Sequence, residues 1–141
     1  MKYAKLPGPD HIVRQIPPSR LIPNDDGEIV GIFPEAFEKI QPDGLSVTWL
    51  EFWPGDEFQR PFAAKAATEV ARPSKNAGYA CANVAVVLET IEKAGQTGRV
   101  LHDPMPNNQG HALVKIPTAD PELFDKLARE VFVLERVFLK K

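Results

Sequence analysis

The feature that most constrains the fold is the segment Leu45–Trp53, LSVTWLEFW, which is rich in β-branched and aromatic residues. Such residues favour β-strands. Side chains along a strand alternate between two faces, and both faces are largely apolar here, with Val47 and Trp49 on one and Leu50 and Phe52 on the other. A strand with two apolar faces is covered on both sides. We therefore predict a central strand with other elements packed above and below the sheet.

Hydrophobic periodicity and turn residues predict the other elements. They are a strand at His11–Ile16, a hairpin around Asn24–Gly27, a helical turn at Pro34–Ile40, a turn at Pro42–Gly44, a helix from Asp56 to Val70, a strand at Gly78–Asn83, a helix at Val84–Ala94, two strands flanking a loop from His102 to His111, and a long helix at Pro121–Leu139. Asn83 and Asp120 are predicted to cap the last two helices. This pattern predicts an α+β fold in one domain, residues 1–141: a mainly antiparallel sheet with two or three packed helices, including the long C-terminal one.

Composition argues against several classes of protein. The net charge is −2, so no basic field is available for extended nucleic-acid binding. No apolar run approaches the roughly 20 residues of a membrane span, and we find no signal-peptide pattern. Cys81 is the only cysteine, which is consistent with a cytoplasmic protein. It is either a buried packing thiol or a nucleophile.

The loop between His102 and His111 is the first candidate site. It contains Asp103, two prolines, the pair Asn107 and Asn108, and a glycine. Proline restricts the backbone, and a stiff polar loop between strands can hold side chains still at the end of a sheet. The two histidines are candidates for a general acid and base, or for simple hydrogen bonding within the loop. A metal site with Asp103 is geometrically possible, but one cysteine and scattered histidines do not form a standard site, so we predict no metal and no cofactor.

Two charged residues interrupt apolar strands. Arg14 lies between two isoleucines, so it either reaches solvent at a sheet edge or points at an anion or carboxylate. Glu51 lies between two tryptophans in the sequence alternation, so it is either exposed or paired with Arg14, or it is a carboxylate able to act as an acid or base.

We predict that these polar residues converge on one cleft. The candidate catalytic residues are His102, His111 and Glu51, and the candidate ligand-binding residues are His11, Arg14, Trp49, Asn107 and Asn108. A histidine pair with an arginine can bind an anionic group and transfer protons near neutral pH, and tryptophan can stack on a base or ring.

Recognised catalytic motifs are missing from the sequence. It has no nucleophile elbow, and Ser19, Ser46 and Ser74 all lack the sequence context of one. It also has no phosphate-binding or dinucleotide-binding glycine motif.

The segments Leu45–Glu51 (LSVTWLE) and His102–Ala112 (HDPMPNNQGHA), together with the His-x-x-Arg of His11–Arg14, resemble small uncharacterised bacterial proteins. Those proteins carry an SVxWLE strand and a similar Pro/Asn loop that ends in His-Ala. The resemblance implies a bacterial cytoplasmic origin and no particular mechanism.

Three functions follow. The first is a small cytoplasmic module that binds a partner protein or an anionic, nucleotide-like ligand through a His/Arg/Trp cleft. The second is an enzyme acting on phosphate or nucleotide bonds, with His102 and His111 as acid and base. The third is a subunit of a complex or a homodimer, because the C-terminal helix has a wide apolar face. That face consists of Leu123, Leu127, Val131, Leu134 and Phe138, widened by Phe124, Phe132 and Val137. The surplus apolar residues belong either to the core or to a dimer or partner surface.

Overall fold

A computed structural model describes residues 3–38, 44–56 and 59–134. The strands are β1 His11–Ile16, β2 Leu21–Pro23, β3 Ile29–Ile32, β4 Leu45–Trp49, β5 Gly78–Asn83, β6 Arg99–His102, β7 His111–Lys115 and β8 Val133–Leu134. The helices are α1 Gln59–Ala71, α2 Val84–Lys93 and α3 Pro121–Lys126. The α+β class is confirmed.

The main sheet has six strands in the order β6-β7-β4-β1-β5-β8, and every neighbouring pair is antiparallel. β2 and β3 form the separate hairpin that the turn around Asn24 predicts. β4 lies inside the sheet, as its two apolar faces require. It is shorter than predicted, however, because residues Leu50–Phe52 form a 3-10 turn. β4 stops early because its neighbour β7 begins at His111, which pairs with Thr48, so the ladder between the two strands ends there.

Each face of the sheet is covered by different helices. Ile12 and Val47 belong to the larger core cluster, which also contains residues of α2 and α3. On the opposite face, Val13 packs with Tyr79 in a smaller cluster. This second face also contacts α1, through a hydrogen bond between the hydroxyls of Thr48 and Thr68. Each fully buried aliphatic side chain contributes about 1.5–3 kcal/mol to folding. The larger cluster therefore supplies most of the hydrophobic stabilisation. On the second face a cavity remains beside α1.

The joint between β1 and β4 is short. Only Ile12–Trp49 and Val13–Thr48 are in register there, whereas β1 pairs with β5 along all six of its residues. Beyond these two pairs, the carbonyl oxygen of Ser46 accepts a hydrogen bond from Nη1 of Arg14 at 2.7 Å. The guanidinium thus replaces backbone pairing where the two strands separate.

The long C-terminal helix was a wrong prediction. α3 ends at Lys126, a π-helical turn continues over Leu127–Val131, and the chain then enters β8. β8 pairs with the outer edge of β5, so the backbone groups of Val133 and Leu134 bond to the sheet instead of extending a helix. Val133 is β-branched, which favours this outcome. Residues 135–139 of the predicted helix lie outside the described residues.

Two of the apolar residues that widen the predicted C-terminal face belong to the core, which is one of the two alternatives that the sequence leaves open. Phe124 and Phe132 are 2% and 3% exposed, and the ring of Phe132 packs against Phe37 with centroids 4.9 Å apart. Val137 and Phe138 lie outside the described residues. Within the described ranges, no helix is long and apolar enough to span a membrane.

Candidate functional site

A cavity of about 330 Å³ lies on the second face of the sheet, between the separating strands and α1. β1 and β4 line it with Val13, Arg14, Gln15, Ser46, Val47 and Thr48, α1 and the residue after it with Thr68, Ala71 and Arg72, and β7 and the loop before it with Asp103, Met105, Asn108, His111 and Leu113. By strand alternation, the side chains of Arg14 and Val47 belong to the other face of the sheet. Since both border the cavity, it reaches into the gap between β1 and β4.

Arg14 is a buried cation at this gap, with 8% of its surface exposed. Its Nε and Nη2 donate to the carbonyl oxygen of Ala36 at 3.2 and 2.8 Å, and its Nη1 donates to Ser46. A guanidinium has five N–H groups, so these three bonds leave two that bond to no described residue. Among the described residues, no carboxylate forms an ion pair with Arg14. Burial and, to a smaller extent, the positive charge of Arg72 lower the pKa of Arg14 to about 10.

Ser46, His111 and Asp103 form a hydrogen-bonded chain along the cavity wall. Nδ1 of His111 lies 3.0 Å from the carbonyl oxygen of Asp103 and 3.2 Å from its Oδ2. A carbonyl oxygen can only accept, so Nδ1 carries a hydrogen. In the neutral ring Nε2 is then an acceptor, and the hydroxyl of Ser46 donates to it at 2.6 Å. The ring is therefore held in one tautomer, with its basic nitrogen on the serine hydroxyl.

The register of the sheet brings these groups together. Thr48 lies opposite His111, so Ser46, two residues earlier, is on the same face and diagonal to the histidine. β6 ends at His102, and Asp103 then returns to His111 through a bond from its backbone N–H to the His111 carbonyl oxygen at 2.8 Å. The hairpin end therefore places the acid directly against the histidine that begins β7.

A second chain of hydrogen bonds fixes the loop. Nδ2 of Asn108 donates to Oγ1 of Thr48 at 3.0 Å, and Oδ1 of Asn108 accepts from the N–H of Gly110 at 3.2 Å. The Thr68 hydroxyl donates to the carbonyl oxygen of Ala64 at 2.7 Å, so the 2.8 Å bond between the threonines runs from Thr48 to Thr68. Asn108 thus anchors this loop, which carries Asp103 and leads into His111, directly to β4 and, through Thr48, to α1.

His11, Glu51 and Trp49 do not line the cavity. Oε2 of Glu51 lies 2.6 Å from Nδ1 of His11, and Oε1 accepts from the His11 backbone N–H at 2.7 Å. The indole N–H of Trp49 donates to Asp10 at 2.9 Å. The carboxylate of Glu51 is therefore paired with a histidine and not with Arg14, one of its predicted partners.

The two loop histidines lie on opposite faces of the sheet. His102 is opposite Ala112, the neighbour of His111 in the chain, and successive side chains alternate. The ring of His102 packs edge-on against Trp49 at 5.1 Å, and its Nε2 bonds to the carbonyl oxygen of Gln109 at 2.8 Å. Asn107 is exposed at the loop tip. Of the predicted site residues, the cavity brings together Arg14, Asn108 and His111.

Sequence reasoning did not place Ser46 or Arg72 in this site: the basic connector that begins at Arg72 can contact phosphate, but a small basic cluster is usually solvated surface. Ser46 was judged against the nucleophile elbow, which is a turn between a strand and a helix, whereas it lies within a paired strand. The signal that could have found it is alternation: Ser46 and Thr48 are the polar residues on one face of an otherwise apolar strand.

Comparison with known proteins identifies no relative: no family model, no curated protein and no solved structure matches this chain.

Proposed function

We propose that this protein is a small binding module whose ligand is a small oxyanion, a carboxylate or a phosphate, held in the cavity beside Arg14. The observation that carries the proposal is the buried guanidinium: two of its N–H groups bond to no described residue, and it borders a cavity. A buried charge without an opposite charge is costly, and an anion that pairs with it recovers part of that cost.

The charges of the cavity wall favour the same ligand. The described lining residues include two arginines, Arg14 and Arg72, and one carboxylate, Asp103. Oδ2 of that carboxylate lies within 3.2 Å of His111. The described lining residues therefore carry an excess of positive charge. Electrostatic attraction of this kind is strengthened where water is partly excluded.

The size of the cavity limits the ligand. At about 330 Å³ it is at the lower end of the range for small-molecule sites. Trp49 and Trp53 are not among its lining residues in the described part of the chain. The cavity therefore offers no tryptophan on which a nucleotide base could stack, and a larger, nucleotide-like ligand has no support from this site. The proposal is therefore confined to a small anion.

Calorimetric and thermal-shift titrations with phosphate, acetate and succinate, with chloride as the reference salt, test this proposal. An anion at 100 times its Kd should stabilise the fold by about 2.7 kcal/mol. We expect saturable binding that Arg14→Met abolishes and Arg72→Met weakens about 10-fold, which is about 1.4 kcal/mol. Arg129→Met is the matched control, because Arg129 is exposed and pairs with Asp125.

A second readout avoids dependence on the folding of the Arg14 variant. In the wild-type protein with labelled arginine, the Nε–H signal of Arg14 should shift along the same saturation curve. If none of the anions binds, or if the Arg14 and Arg129 variants bind equally well, the proposal fails.

A further inference from the structure

We propose that the same cavity hydrolyses small esters that carry an anionic group, with Ser46 as nucleophile, His111 as general base and acid, and Asp103 as the positioning residue. The choice of an anionic ester rests on the proposed function; the chemistry of the serine does not.

The geometry of the nucleophile and its base carries this inference. The hydroxyl of Ser46 lies 2.6 Å from Nε2 of His111, within the distance required for direct proton transfer. Nδ1 of the same ring is held by both the carbonyl and the carboxylate of Asp103, so the nitrogen facing the serine is the unprotonated one. These are the roles that define a Ser-His-Asp triad, which is recognised by geometry and not by sequence position.

The serine is also accessible. Ser46 is half-buried and lines the cavity, whereas His111 is only 8% exposed. A ligand in the cavity can therefore meet the hydroxyl, while the base behind it is shielded from bulk water.

The reaction follows two balanced steps. In the first, Oγ of Ser46 bonds to the ester carbonyl carbon as Nε2 of His111 takes its proton; the tetrahedral oxyanion collapses, and the alkoxide leaves with that proton, which gives an acyl-serine. In the second, His111 takes a proton from water, the hydroxide oxygen bonds to the acyl carbon, and Oγ leaves and regains the proton. The products are an alcohol and a carboxylic acid, with no net oxidation or reduction.

Arg14 supplies charge where the oxyanion develops. Its Nη1 is 2.7 Å from the carbonyl oxygen of Ser46, so the guanidinium lies beside the nucleophilic residue. In an antiparallel strand the N–H and carbonyl of one residue point to the same neighbouring strand, so the N–H of Ser46 also points into the gap. A fixed cation near a developing negative charge lowers the barrier because it needs no reorganisation. Arg72, which follows α1 and also lines the cavity, is then the group that selects the anionic end of the ester.

Labelling of the wild-type chain with a fluorophosphonate, located by peptide mass spectrometry, is the first test. Activated serines displace the fluoride and retain the phosphonate, and we expect the adduct on Ser46. Ser46→Ala and His111→Gln should each abolish it, with folding checked by circular dichroism. Ser74→Ala is the matched control and should label like the wild type.

Hydrolysis of neutral 4-nitrophenyl acetate and anionic mono-4-nitrophenyl succinate is the second test. We expect kcat/KM to be about 10-fold or more higher for the anionic ester, a preference that Arg72→Met removes. Asp103→Asn should lower kcat about 10- to 100-fold with KM unchanged, because the Asp103 carbonyl still orients the ring after the charge is lost. A purely structural Asp103 would not separate kcat from KM.

The outcomes separate the two proposals. If phosphate or succinate binds but Ser46 is neither labelled nor required for ester hydrolysis, the hydrolytic inference is overturned and the binding module stands. If Ser46 is labelled and both esters react equally, the serine chemistry stands and the anion preference fails.

Discussion

Removing the Thr48 hydroxyl should destabilise the loop that carries the site. Thr48 is 1% exposed and accepts from Asn108 while donating to Thr68. Thr48→Val keeps the shape of the side chain but removes the one acceptor that Nδ2 of Asn108 has among the described residues, and Asn108 is 3% exposed. Thr68 loses little, because its own hydroxyl hydrogen still bonds to Ala64.

The magnitude follows from the orphaned amide. A buried donor that loses its only partner costs about 1–3 kcal/mol, and the added methyl group recovers part of that. We expect a net loss of about 1–2 kcal/mol in the free energy of unfolding, or a decrease in Tm of roughly 3–10 °C for a chain of this size. Phosphate affinity should decrease as well, because Asn108 fixes the loop that places Asp103 and His111.

Urea unfolding of a double-mutant cycle measures this effect. In an Asn108→Ala background the amide is already absent, so Thr48→Val should cost little, and the coupling should be about 1 kcal/mol or more. Thr90→Val is the control, since the Thr90 hydroxyl bonds to the Val86 carbonyl at an exposed position of α2, and it should change stability by less than about 0.5 kcal/mol. Additive losses, or a Thr48 variant as stable as the wild type, would refute the reasoning.

Two further predictions concern residues that do not themselves line the cavity. Glu51→Ala should lower the free energy of unfolding by about 0.5–1.5 kcal/mol, since it breaks a partly exposed pair with His11, while calorimetry shows wild-type phosphate affinity; a loss of affinity would place Glu51 in the site. Burial raises the pKa of Tyr79 from its ordinary 10.0 to about 12. The unfolded chain then releases this proton first, so stability falls as pH rises from about 10 towards 12. Urea midpoints of Tyr79→Phe should show a smaller alkaline decline than those of the wild type, and equal declines would contradict the assignment.

The parts of the fold that depend on neighbouring residues were predicted from the sequence. Asn83 caps α2 by accepting from the N–H of Val86 at 3.0 Å, and Asp120 caps α3 by accepting from Glu122 at 3.1 Å. A cap is formed within one helical turn, so its residues can be recognised locally. The error at the C-terminus has the opposite origin: Val133 and Leu134 pair with β5, more than 50 residues earlier, and no local pattern contains that partner.

The site, like the fold, was predicted where local sequence decides and was not predicted where strand pairing decides. Arg14 was chosen because a charged residue interrupts an apolar strand, and Asn108 and His111 were chosen because they belong to the stiff polar loop. Whether two of them share a face, however, depends on register, which local sequence does not set. His102 and His111 seemed equivalent in the loop and lie on opposite faces, whereas Ser46, 65 residues from His111, is its direct partner.

Ser46 and His111 are in contact although they are 65 residues apart in the chain. This separation determines when, during synthesis, the proposed site can form. Ser46 lies in β4 and His111 lies in β7. β7 is joined by a hairpin to β6, its other neighbour in the sheet, and not to β4. During synthesis the serine leaves the ribosome long before the histidine does. A product truncated between residues 46 and 111 carries the Ser46 hydroxyl but lacks the His111 ring, so the proposed reactive centre forms only when the β6–β7 hairpin pairs with β4, which is synthesised much earlier.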